Sequence, residues 1–160
     1  MPEVYSIGLG GGSKVTTSHE FVPGEPIVSV GPTSVSYKLN TESKCFGGST
    51  LTATDIVVAS GLSNSITPSW REETYPKTIQ LARQDIKRKL QRGVDMMKSS
   101  DLDVVLLLVG GGPIIQMDDL EGVKTCIRPD YYDGANAVGA AIANVASFAF
   151  PAIGKPADNF

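Results

Sequence analysis

The chain has 160 residues, 41% of them hydrophobic and 19% charged, with a formal net charge of -3. Such values describe one globular domain, long enough to bury about 70% of the surface its unfolded chain would expose. They give no electrostatic basis for a nucleic-acid or membrane partner, and the longest apolar run, Val104 to Val109, is too short to cross a bilayer.

The first third reads as β structure cut by glycine and proline. "VYSIGLG" (4–10) alternates into Gly10, Gly11 and Gly12, and "SKVTTS" (13–18) leads away, predicting a hairpin with a glycine tip. "PIVSVG" (26–31) is a short strand closed by Gly31-Pro32, and "TSVSYKL" (33–39) a further strand with Val35, Tyr37 and Leu39 on one face. "IVVASG" (56–61) fits either a short buried strand or a helical turn, and 62–76 is a Ser/Thr/Pro-rich surface connection.

From Lys77 the period changes. Ile79, Ala82, Ile86, Leu90, Val94 and Met97 recur every three or four residues, the stripe of an amphipathic helix. Arg83, Lys87, Arg88, Lys89 and Arg92 form its other side, expected to be a solvated face. "DVVLLLVG" (103–110) has the unbroken apolar pattern of a strand buried on both sides. Gly110, Gly111 and Gly112 follow, and Pro113 opens a helix through about Leu120, proline being suited to a first helical position. "VKTCIRP" (123–129) is the next strand, and "DGANAVGAAIANVASFAF" (133–150) a last helix with Asp133 as its N-cap.

Chemistry-bearing residues are few. His19 is the single histidine, lies in a polar segment, and has no cluster of zinc-ligand spacing around it, so no metal site is expected from the chain's own ligands. Cys45 and Cys126 lack CxxC spacing and read as separate buried thiols; with no signal-peptide pattern in "MPEVYSIGLG", a cytoplasmic location is expected. The two glycine triplets stand out because glycine in or beside a strand packs nothing and loses the most backbone entropy on folding. Strand, glycine corner and helix start in succession let a ligand lie against bare main-chain amides, an arrangement suited to phosphates. Ser13 adds a hydroxyl and Lys14 a possible counter-charge. Neither triplet spells a Walker A loop or a Rossmann fingerprint, and no G-x-S-x-G elbow occurs.

The blocks "IGLGGGSKV", "VGPTSVSYKL", "FGGSTLTATDIVVASG", "VDMMKSSDLDVVLLLVGGGPI" and "IRPDYYDGANAVGAAIANV" resemble, in order, those of the hydantoinase/oxoprolinase family. That family is similar in fold to actin, sugar kinases and heat-shock chaperones, whose ATP-binding core pairs two ribonuclease H-like lobes. The resemblance implies an α/β fold, a mixed sheet starting with β-hairpins and flanked by helices. Residues 1–150 would form one such lobe and 151–160 a tail. It implies that Gly10, Gly11, Gly12 and Ser13 correspond to the second phosphate loop, and Gly110, Gly111 and Gly112 to the adenosine motif. Residues Asn136 to Ala141 would correspond to the second connecting helix.

By the same resemblance the activity would be ATP- and magnesium-dependent opening of cyclic amides such as hydantoins or 5-oxoproline. Asp55 is the best-placed carboxylate for the catalytic centre, with a helix cap as its alternative role. The family's first phosphate loop, of D-x-G-G-T-S type, belongs upstream of these blocks and does not occur in this chain. The expected partner is therefore the missing N-terminal lobe or a companion subunit, within an oligomer, and the isolated chain is expected to be inactive. Two alternatives stand beside this reading: a non-catalytic lobe holding a larger assembly together, or part of an ATP-dependent ketone carboxylase.

Overall fold

The computed structural model describes residues 4–18, 26–61, 76–111 and 119–143, arranged as mixed α/β structure with small sheets and helices. Strands β1 (Ser13–Ser18) and β2 (Ile27–Ser34) form an antiparallel ribbon with Val15 opposite Val30 and Ser18 opposite Ile27. The predicted partner of β1 was "VYSIGLG", but residues 4–10 form no strand, and the Leu9 N–H turns back onto the Ile7 carbonyl at 2.9 Å. Gly8 and Gly10 offer no side chains for cross-strand packing, whereas Ile27, Val28 and Val30 match the β-branched face of β1.

Nor does β2 end at Gly31-Pro32. It continues to Ser34 through an irregularity in which four residue steps of β2 run opposite two of β1, between the Ser13–Ser34 and Val15–Val30 pairs. Gly31 has φ +73°, and the Gly31–Pro32 peptide is cis. A bulge is where a strand tolerates proline, which has no N–H for the ladder.

The strand expected at "TSVSYKL" is replaced by a 3-10 turn (Ser36–Lys38) and the single-turn helix α1 (Leu39–Glu42). Ser36 has φ 53°, and its N–H donates to Ser34 Oγ at 3.0 Å, so the chain reverses instead of extending. Val35 is buried while Tyr37 is 87% exposed, so the two do not share a packed face. The choice left open at "IVVASG" goes to helix: α2 spans Ala53–Ala59 and is almost wholly buried.

Helix α3 (Pro76–Met97) lies against β2 and α2. Its predicted stripe holds at every position but the last. Ala82 and Ile86 are fully buried and Val94 nearly so, Ile79 and Leu90 pack at the core's edge, and Met97 is exposed. The core joins these residues to Val28, Val30, Ala53, Ile56 and Leu120.

The basic face is not simply solvated. Lys89 Nζ donates to the Val30 carbonyl at 2.5 Å and to Asp85 Oδ2 at 2.7 Å. Arg88 pairs with Asp85 Oδ1, and Lys87 with Asp119 at 2.5 Å.

Strands β3 (Val104–Leu107) and β4 (Val123–Ile127) pair in parallel, with Leu106 opposite Cys126. Leu106 and Val123 pack against the core, but Val105 and Leu107 are 52% and 61% exposed. The strand expected to be buried on both faces therefore has an open apolar face. Helix α4 (Ala135–Ile142) follows a 3-10 turn, Tyr132–Gly134. Asp133 accepts the Gly134 N–H at 3.0 Å and does not cap the helix, whose N-cap position is Gly134.

The helix read from Pro113, the connection over 62–75, His19, Gly112, the end of the last helix and the tail 151–160 lie outside the described residues. Among the described residues no helix is long and apolar enough to cross a membrane.

Candidate functional site

The first glycine corner is held from within. The Gly10 carbonyl accepts the Ser13 N–H at 3.0 Å, and the Gly12 carbonyl accepts the Val35 N–H at 2.9 Å. Between them the Gly11 carbonyl accepts twice from Thr54, from its N–H at 2.9 Å and its Oγ1 at 3.0 Å. All three carbonyls are thus turned into the protein. Of the amides, Gly10 N–H donates to Ser13 Oγ at 2.9 Å, whereas Gly11 and Gly12 N–H have no acceptor among the described residues. Consecutive main-chain amides aimed away from their own fold make an anion-binding concavity.

Packing explains some of these glycines and not others. A Cβ on Gly8 would stand 2.6 Å from Pro32 Cβ, and one on Gly12 would stand 2.8 Å from Ser34 Oγ. Both positions are glycine because neighbouring chain lies against them. A Cβ on Gly10 would meet nothing within 4 Å. Its lack of a side chain serves no internal contact among the described residues.

Ser13 is 2% exposed, and its hydroxyl accepts the Gly10 N–H. It shapes the corner from behind and does not face outward. Lys14 is half-buried beside it and makes no ion pair among the described residues, leaving its charge available to an anion.

The second corner is built differently. Gly110 has φ +78°, a conformation that favours glycine, and its N–H donates to the Tyr132 carbonyl at 2.6 Å. Gly111 has open space where a Cβ would stand. This corner is tied to the turn before α4, while the first is tied to α2 and β2, and no hydrogen bond joins them among the described residues.

Asp55 has a different task from the one expected. The side chain is fully buried, and its two oxygens accept five hydrogen bonds: from Ser43 Oγ, Lys44 N–H, Cys45 N–H, Thr52 N–H and Thr52 Oγ1, at 2.7 to 3.3 Å. With Thr52 it forms the capping box of α2. A carboxylate spent on five internal donors does not fit a magnesium ligand or a catalytic group. The cap, its alternative role, is what the geometry gives. The described residues contain no group of three His, Cys, Asp or Glu side chains able to hold a metal ion.

Thr54 is the residue that the sequence reading passed over. The signal was present in "TATD", where Thr52 and Asp55 spell the capping box and so place Thr54 in the first turn of a helix. Which carbonyl that turn meets is a tertiary fact that spacing does not carry.

Compared with family models, curated proteins and solved structures, the chain has no match.

Proposed function

We propose that this chain is the nucleotide-binding lobe of an ATP-dependent hydrolase acting on cyclic amides of the hydantoin or 5-oxoproline type. One observation carries the reading: at Gly10–Gly12 every carbonyl is tied inward while the Gly11 and Gly12 amides have no acceptor among the described residues. The order of sequence blocks supplies the family, and with it the actin-like ribonuclease H lobe as the proposed fold. Bound ATP would supply the phosphoryl group that makes an amide carbonyl electrophilic. In this reading the chain's own residues bind and orient: the Gly11 and Gly12 amides donate to phosphate oxygens, Lys14 offsets their charge, and Gly111 lets the nucleoside approach the main chain.

The lobe acts with a second one bearing the D-x-G-G-T-S loop. The open faces of β3, at Val105 and Leu107, and of α4, at Val138 and Ile142, support such a partner, since exposed apolar patches mark interaction surfaces. Those faces also favour the second reading, a non-catalytic assembly lobe. Titration calorimetry on the chain joined to that second lobe, with ATP and magnesium, tests the first reading, and absence of binding heat would remove it. Gly111→Val separates the two readings: unchanged activity of the full assembly would leave assembly as the function.

A further inference from the structure

Deepening the nucleotide-binding reading, on which it rests, we propose that Thr54 is a positioning residue that sets the direction and donor strength of the Gly12 amide. The Gly11 carbonyl and the Gly12 N–H are opposite ends of one planar trans peptide, so fixing the carbonyl inward fixes the N–H outward. Thr54 makes that fixation double, with its main-chain N–H at 2.9 Å and its hydroxyl at 3.0 Å on the same oxygen. Thr54 is 1% exposed and belongs to α2, whose cap is locked by Thr52 and Asp55, so the two donors are held rigidly.

Two donors on one carbonyl also polarise the peptide, strengthening the N–H at its far end. The Thr54 N–H is itself an orphan donor of the helix's first turn, and Gly11 satisfies it. The helix start is therefore spent on aiming a peptide, and the ligand meets the glycine amide in its place.

The test is a titration of the whole chain with inorganic tripolyphosphate, followed through the Gly11 and Gly12 amide signals by heteronuclear NMR. The wild type should show saturable shifts at both amides. Thr54→Val keeps the main-chain donor and the side-chain shape but removes the hydroxyl, and should weaken binding roughly three- to ten-fold, the worth of one neutral hydrogen bond. Thr54→Ser should restore affinity to within about twofold, because it restores the donor.

Saturable wild-type shifts with unchanged affinity in Thr54→Val would overturn the role of Thr54 while leaving the cradle in place. Equal weakening in both variants, together with equal loss of thermal stability, would also overturn it, by making the effect one of folding. No saturable shift in the wild type would remove the cradle and the role of Thr54 with it, while the nucleotide reading stands or falls separately on the calorimetry of the joined lobes.

Discussion

Asp85 and Val30 are joined across 55 residues of chain: the Val30 N–H donates to Asp85 Oδ2 at 2.9 Å, and Lys89 completes the unit by donating to the Val30 carbonyl. One helical turn of α3 thereby satisfies both main-chain groups of a strand residue whose N–H and carbonyl are turned away from β1. Burial by itself would raise the Asp85 carboxyl pKa. The hydrogen bonds from Lys89 and Val30, the Lys89 charge and Arg88 together outweigh that effect and hold it below the usual aspartate value.

A depressed folded-state pKa adds stability that is complete above the unfolded value of about 4 and is lost as pH falls through the folded value. Acid unfolding of the wild type should therefore steepen below about pH 4, and Asp85→Asn should flatten that limb. At neutral pH, Asp85→Ala leaves the Val30 N–H and Lys89 without their acceptor and should cost about 2–4 kcal/mol in denaturant unfolding.

Asp55→Ala strips five donors of one acceptor group and uncaps α2, so a loss of about 3 kcal/mol or more is expected. Asp55→Asn keeps one carbonyl oxygen but aims an N–H₂ at other donors, and should destabilise as well. Urea titration of both variants checks this. Folding unchanged in Asp55→Ala, with activity lost in the assembled enzyme, would return Asp55 to the catalytic centre.

Glycines within the corners predict opposite outcomes for similar changes. Gly10→Ala and Gly111→Ala add a Cβ into open space and should leave the stability within about 0.5 kcal/mol of the wild type, with a nearly unchanged thermal midpoint. Gly12→Ala meets Ser34 Oγ and should cost roughly 1–2 kcal/mol. Loss of ATP binding in the assembled protein with unchanged midpoints for the first two would report ligand contact. An equally large loss of stability at Gly10 would make that glycine structural.

Burial pushes the Cys45 thiol up to about 11, partly opposed by its hydrogen bond with Ser43 and reinforced by the neighbouring Asp55. The thiol therefore stays protonated where it would ionise in the unfolded chain, so folding stability should fall as pH rises between about 9 and 11. Iodoacetamide at pH 8 should label Cys126, which is half-buried, well before Cys45 in the native protein. Mass spectrometry of tryptic peptides would show the order, and faster labelling at Cys45 would contradict its enclosure.

Periodicity carried far where one face decides. The 3.6-residue stripe located α3 to within a residue of its start, because Ala82 and Ile86 had to be buried together. It failed where local chemistry competes with alternation. "TSVSYKL" alternates like a strand, yet Ser34 Oγ captures the Ser36 N–H and turns the chain. Pairing was equally invisible: β1 has two flanking segments of similar pattern, and only the side-chain-free Gly8 and Gly10 hint that the upstream one would lose. The glycine corner itself was legible as a backbone feature. The inward tie of its middle carbonyl, that of Gly11, depends on Thr54, more than 40 residues away.

The pairing of Asp85 and Lys89 with Val30 has a counterpart on the other margin of the ribbon, where the Val15 N–H donates to the Leu51 carbonyl at 2.9 Å. Each margin is thereby tied at one residue, and Pro32 removes one more donor from the β2 side. A foreign strand finds the Val30 groups already taken, so pairing there requires the ties from α3 to break first. Resistance to that kind of self-association is thus set by how firmly one helix stays seated.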